Sequence, residues 1–286
     1  MFDNHFLPCY TTAMIIAVDT GATKTLVATF QPDGHIADSI KFPTPHDQGA
    51  YFEQLIATIK QLTSNAVPSV ISVALPGTIR DGIGTWCFNL KWSDVDVHTP
   101  LREAFPGAIT LLQNDANLAG LGETRMLDEI PRASLYVTFS TGIGAGVIMN
   151  GHIDPNFSVS EVGQAILEFD GQMQKWESFA SGRAIYTTFG QYARDIEDEA
   201  IWRSVADRMS RGLLAQLPFM QPDVLIFGGS MGTYFHRYGS YLEEILRQHL
   251  DSHLQFPRLV AAKYPEEAVI HGCRYFALDS TTDTAA

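Results

Sequence analysis

MIIAVDTGATKTLVATF, residues 14–30, sets the architecture. The apolar run MIIAVDT reads as a short buried strand, GATK as a turn, and TLVATF as a second strand. Asp33-Gly34 is a further turn signal and implies a third strand. The chain therefore opens as a β-meander, not as an alternation of strands and helices.

Working outward, Phe52, Leu55, Ile56, Ile59 and Leu62 recur at helical spacing from Gly49 onward. They predict an amphipathic helix with one face on the sheet. VISVAL (70–75) predicts a buried strand ending at Pro76-Gly77, and AITLLQ (108–113) another that leads into Asn114 and Asp115. A helix is expected over Leu118 to Met126. LYVTF (135–139), STGIGAG and VIMNG then repeat the opening strand-turn-strand pattern. Ile201, Val205, Met209, Leu213 and Leu217 predict a helix over 201–217. VLIF (224–227) is a buried strand ending in Gly228-Gly229-Ser230. A helix around 241–250, a strand LVAA (259–262) and a closing helix over 266–278 complete the pattern. Two similar lobes with a ligand cleft between them are expected: residues 14–117 with 266–280, and residues 118–265. Residues 1–13 lack the basic start and apolar run of a signal peptide and read as a frayed extension or as a start codon assigned too early.

At 45% hydrophobic and 18% charged residues the composition is globular. A net charge of −13 disfavours nucleic acid and anionic membranes as partners. Three widely spaced cysteines, Cys9, Cys87 and Cys273, cannot form a full disulfide framework and point to a reducing cytoplasm.

The chemistry concentrates in three strings. In Asp19-Thr20-Gly21-Ala22-Thr23-Lys24, a glycine turn lets a phosphate approach the backbone. Thr23 offers a hydroxyl, and Asp19 can hold a hydrated Mg²⁺. Read alone the string is an ordinary hairpin turn. An aspartic protease would need a second Asp-Thr-Gly or Asp-Ser-Gly, which the chain lacks. Ser140 to Gly146 is a second glycine-rich turn, with Thr141 placed to grip the other side of a triphosphate. No GxxxxGK[ST] is present, so the P-loop class is excluded. Asp115, after a buried strand, reads as a helix cap if taken alone. Beside two phosphate turns it becomes a candidate general base.

Together, DTGATKT (19–25), ALPGTI (74–79), FNLKW (88–92), NDANLAGLGE (114–123), STGIGAG (140–146), SEVGQ (160–164), WESFASGRAI (176–185) and VLIFGGS (224–230) resemble the ROK family of sugar kinases. Thr44-Pro45 fits the same pattern. The resemblance covers nearly everything after Met14. It implies an α/β, two-lobed actin/hexokinase-like (ribonuclease H-like) fold with an inter-lobe active site, and ATP and Mg²⁺ as nucleotide and metal. Position by position, it makes Asp115 the base and Gly77, Asn89, Asn114, Asp115, Glu161, Gln164 and Glu177 the sugar contacts. It gives Asp19, Gly21, Thr23 and Lys24 the first phosphate site, Thr141 and Gly142 the second, and Gly228 and Gly229 the nucleoside turn. Asn89 and Glu177 have helix capping as their plainer alternative, and Lys24 a solvated charge.

Relatives commonly hold a structural zinc through one His and three Cys. The matching positions here are Gln164, Glu168, Asp170 and Lys175. Zinc prefers thiolate and imidazole, so none is expected. In its place Lys175 is expected to pair with Glu168 or Asp170, with Phe169, Met173 and Trp176 packing beneath.

The implied function is phosphorylation of a hexose, with glucose at its 6-hydroxyl as first choice. Fructose, mannose, allose, N-acetylhexosamines and glucosides stay open, as does a catalytically inactive sugar-binding regulator. The family's repressors carry an added DNA-binding segment, and only thirteen residues precede the first strand here, so DNA binding is not expected. A homodimer is the common assembly of relatives.

Overall fold

The computed structural model of the chain describes residues 14–283; the expected frayed extension, 1–13, lies outside that range. The chain divides into two compact units. One runs to Gln113 and includes the chain from Ala277 onward; the other is Asn114–Phe276.

The first unit is built on β1 (Ile15–Thr20), β2 (Lys24–Phe30), β3 (Ile36–Pro43), α1 (Gln48–Leu62) and β4 (Val70–Leu75). β5 (Thr78–Arg80), β6 (Ile83–Cys87), β7 (Trp92–Asp96), α2 (His98–Ala104) and β8 (Ile109–Asn114) follow. The main sheet has the order β3-β2-β1-β4-β8, with β1 antiparallel to β2 and parallel to β4. Ile15 to Val18 and all of Val70 to Leu75 are buried, which is why these strands show no alternation. α1 is capped by Asp47, whose Oδ1 accepts from Ala50 N at 2.9 Å. The centre of its buried face is Tyr51, Leu55 and Ile59, with Phe52, Ile56 and Leu62 at the margins. Tyr51 can be wholly buried because its hydroxyl meets Thr20 Oγ1 at 2.7 Å. The small sheet β5-β6-β7 was not foreseen, since its strands are short and mixed in polarity.

The second unit begins with α3 (Asp115–Arg125), β9 (Ala133–Phe139), β10 (Ile143–Met149), β11 (His152–Ile153), β12 (Ile166–Phe169) and β13 (Gln172–Lys175). It continues through α4 (Trp176–Ala180), α5 (Gly182–Phe189), α6 (Glu199–Met220), β14 (Val224–Gly228), α7 (Gly229–Gly232), α8 (Phe235–His249), β15 (Arg258–Ala261) and α9 (Ala268–Asp283). Its sheet, β11-β10-β9-β14-β15, repeats the first: β9 is antiparallel to β10 and parallel to β14.

Three details depart from the sequence reading. Helix α3 starts at Asp115, not Leu118, because Asn114 is its cap; Asn114 Oδ1 accepts from Ala116 N (2.8 Å) and Asn117 N (3.2 Å). STGIGAG is not one long turn. Only residues 140–142 turn, while Gly144 and Gly146 lie in β10, where a Cβ would press on Ala116 and Asn117 of α3. Residues 268–276 go with the second unit, because Gly122 and Gly272 let α3 and α9 touch backbone to backbone.

Candidate functional site

In the first unit the turn after β1 is closed by Gly21 N donating to Lys24 O at 3.0 Å. Thr44 braces it from beside: its amide donates to Thr23 O (3.0 Å), and its hydroxyl donates to Gly21 O (2.8 Å) and meets Thr25 Oγ1 (2.9 Å). Thr23 and Lys24 are exposed at the tip. Burial pushes the Asp19 carboxyl up to about 6, against the pull of Lys41. Among the described residues no hydrogen bond to its oxygens accompanies that shift. A lone carboxylate of this kind suits Mg²⁺, which keeps most of its waters.

Gly77 has φ +105°, and a Cβ there would collide with Trp86 O, so only glycine fits between β4 and β6. Asn89 is exposed in a 3₁₀ turn, Phe88–Leu90, whose cap position is Cys87; capping is therefore not its role.

In the second unit the turn at 140–142 is a junction. Ser140 N donates to Gly142 O at 2.9 Å, and Ser140 Oγ accepts from Ser230 N at 3.1 Å. This joins the 140–142 turn to the turn after β14. Gly229 has φ +71°, and a Cβ on it would lie 2.5 Å from both Ser140 Oγ and Thr138 Oγ1. Gly228 is buried against the Tyr136 ring. A pocket of about 370 Å³ opens beside this junction, lined by Ser140, Thr141, Arg183, Tyr186, Tyr192 and Tyr234 among others. Tyr186 and Tyr192 stack at 4.5 Å, and Arg194 lies over the Tyr192 ring at 4.8 Å.

Gly142 leads the same turn to a second set of groups. A Cβ there would stand 2.9 Å from Glu177 Oε2, and Gln164 Nε2 donates to Glu177 Oε1 at 2.7 Å. Glu177 lies in the first turn of α4, whose cap position is Lys175, so Glu177 is not the cap either. Glu161 opens the 3₁₀ turn Val162–Gln164. Asp115, the first residue of α3, has Oδ1 2.8 Å from Ala116 N. Its charge is felt by the buried Tyr136, whose hydroxyl is held un-ionised chiefly by burial.

The sequence profile of the ROK family matches residues 15–280. The chain belongs to the ROK family. Among similar proteins, an N-acetylmannosamine kinase of Escherichia fergusonii is 27% identical, over 92% of this chain and 97% of its own. Among solved structures, a ROK hexokinase from Thermus thermophilus aligns with TM-score 0.77 at 24% identity, over 93% of this chain and 99% of that one. A ROK family glucokinase from Streptomyces griseus, in complex with glucose and AMPPNP, aligns with TM-score 0.76 at 19% identity, over 92% and 98%. The α/β fold is thus the actin/hexokinase-like one shared by those ROK structures.

The four positions that the sequence resemblance sets at a zinc site, Gln164, Glu168, Asp170 and Lys175, do not suit that metal. Gln164 is engaged with Glu177, Glu168 Oε1 accepts from Gly171 N at 2.7 Å, and Lys175 is a cation. Among the described residues no group of three or more His, Cys, Asp or Glu is disposed to hold a metal ion. The expected stand-in differs as well. The β12–β13 register sets Lys175 opposite Ile166 and Glu168 opposite Met173, and no ion pair of Lys175 with Glu168 or Asp170 occurs among the described residues. Met173 is 68% exposed, whereas Phe169 and Trp176 are buried.

Of the residues named from sequence, this ROK protein brings Thr141, Gly142, Gln164, Glu177, Gly228 and Gly229 together around one turn. The pocket wall was missed. Arg183 lies within the string WESFASGRAI, but Tyr192 and Arg194 sit in a loop with no pattern to mark them. No helix of the described residues is long and apolar enough to cross a membrane.

Proposed function

We propose that this ROK protein is an ATP-dependent sugar kinase in which Asp115 acts as general base toward a hexose hydroxyl. One observation carries the reading: the 140–142 turn lines a nucleoside-sized pocket and also carries the glycine that abuts the hydrogen-bonded Glu177–Gln164 pair. Donor and acceptor groups thereby share a single short segment.

In this reading the nucleoside occupies the pocket beside Tyr186 and Tyr192, at the Gly228-Gly229 turn. Thr141 and the Gly142 amide hold phosphate oxygens, and Gly21, Thr23 and Lys24 are the phosphate-binding residues proposed on the first unit. Gly77, Asn89, Asn114, Glu161, Gln164 and Glu177 orient the sugar. Asp115 accepts the hydroxyl proton as the sugar oxygen bonds to the γ-phosphorus and the bond to ADP breaks. Mg²⁺, when bound, supplies charge neutralisation on the phosphate oxygens, and Asp19 is the residue that would hold its waters. Positioning and fixed dipoles supply most of the acceleration in such transfers. Glucose, at the 6-hydroxyl, is the first substrate to try, and the E. fergusonii relative adds N-acetylmannosamine to the panel. A homodimer in the cytoplasm completes the reading, with size-exclusion chromatography as the check on assembly.

The test is ADP release, coupled to NADH oxidation, with glucose, fructose, mannose, allose, N-acetylated hexosamines and a β-glucoside. Sugar-dependent ADP from one of them is expected. Sugar-dependent thermal shifts without any ADP would instead leave a sugar-binding regulator, and no response to any sugar or to ATP would sink the reading.

A further inference from the structure

The β12–β13 hairpin has four register pairs and neither a thiol nor an imidazole, and a lone two-stranded hairpin is marginal in water. Its anchor is instead Phe169, which enters the core of the second unit. Phe169 and Phe179 stack with centroids 4.4 Å apart and planes 1° from parallel. The Arg208 guanidinium of α6 lies over the Phe169 ring at 4.8 Å and faces Phe189 at 5.5 Å.

Arg208 reaches α4 twice. Its Nη1 donates to Phe179 O at 2.9 Å, and its own carbonyl accepts from Trp176 Nε1 at 3.2 Å. Trp176 is wholly buried and presses on Gly212, where a Cβ would overlap the indole. Glu177 stands between these two anchored residues. Trp176 N also donates to Ala165 O at 2.8 Å, tying α4 to the segment that carries Gln164.

We propose that Arg208 is a positioning residue for the sugar site: it clamps α4 and the Phe169 hairpin, and so fixes the Glu177–Gln164 pair without a metal. The proposal rests on the reading above only in taking Glu177 as a sugar contact. Arg208→Lys keeps the charge but loses the planar face and the fork that serve ring and carbonyl together. Phe169→Leu removes the ring and keeps an apolar filler.

Both variants should be measured by amide hydrogen exchange and by steady-state kinetics, alongside zinc analysis of the purified parent. The expected result is faster exchange confined to residues 166–180, a sugar KM raised about tenfold, the scale of one charge-assisted hydrogen bond lost, and kcat and ATP KM within about twofold of the parent. Unchanged exchange in both variants would overturn the proposal. So would loss of protection spreading equally through β9, β10 and α6, since the stack would then be ordinary core. One zinc per chain would overturn it too. If no sugar is turned over, exchange and zinc content still decide this proposal, and the kinase reading fails separately.

Discussion

Gln164 donates through Nε2 to Glu177 Oε1 at 2.7 Å, joining an amide and a carboxylate thirteen residues apart. The amide orients the carboxylate and leaves Oε2 toward Gly142. Gln164→Ala should therefore release Glu177 from one geometry. The pair is exposed to solvent, which sets its worth nearer the roughly 0.5–1.5 kcal/mol of an ordinary hydrogen bond, so a sugar KM raised about three- to tenfold is expected. ATP KM should stay within about twofold. Equal rises in both constants would show that the pair does not belong to the sugar side.

Asp115→Asn keeps the size of the side chain and removes its basicity. A general base typically contributes about 10²–10⁴-fold, and kcat should fall by that much. Sugar affinity, read by calorimetry on the variant, should change by less than about threefold. Retention of near-parental kcat would reassign the base.

Thr44→Val preserves shape and strips the hydroxyl that braces Gly21 O and Thr25 Oγ1. Because Thr44 is buried, a partner left unsatisfied costs about 1–3 kcal/mol. The urea midpoint should drop accordingly, and ATP KM should rise more than sugar KM because the proposed function gives the loosened turn to phosphate.

Asp19 sets a pH dependence with two opposite signs. Its folded value of about 6 lies above the ordinary 3.8, so the folded nucleotide-free chain favours the neutral acid. That contribution to stability is fully present below pH 3.8 and is lost as pH rises through 6. In the proposed reading cation-dependent ATP binding needs the carboxylate and should strengthen over the same interval. Calorimetric titrations at pH 5.2 and 7.5 should show the weaker binding at the lower value, on the order of several-fold given a carboxyl mostly protonated there. Asp19→Asn should flatten the difference and bind weakly at both.

Much of the fold was legible because buried strands are uniformly apolar. VISVAL and VLIF could be little else, and both lie as strands in the sheets. Helix α6 was found from its four-residue steps, though it runs from Glu199 to Met220 because Asp198 caps it and Gln221 ends it in a left-handed conformation. Asn114 and Asp115 are harder to tell apart. Either side chain can cap a helix, and only the path of the backbone out of β8 decides that Asn114 does so. The glycines of STGIGAG look alike in sequence, yet Gly142 belongs to the turn and Gly146 to a strand pressed by α3.

The pocket wall was not legible, because Tyr192 and Arg194 reach it from a loop between α5 and α6 that follows no period. The small sheet was missed for a similar reason: β6 alternates weakly, and glycine is required at Gly77 because Trp86 crosses behind it.

Sequence by itself determined the paired meanders, the two glycine turns, the carboxylates available for chemistry and the lack of any thiol at the β12–β13 hairpin. Periodicity reports how each element meets its own surroundings, and short motifs report what a few neighbouring residues can bind. Tertiary structure alone decided which distant residues meet: Gln164 with Glu177, Ser140 with Ser230, Arg208 with Phe169 and Phe179. Such partners are chosen by the packing of helices and hairpin against a common core, and no local pattern encodes that choice.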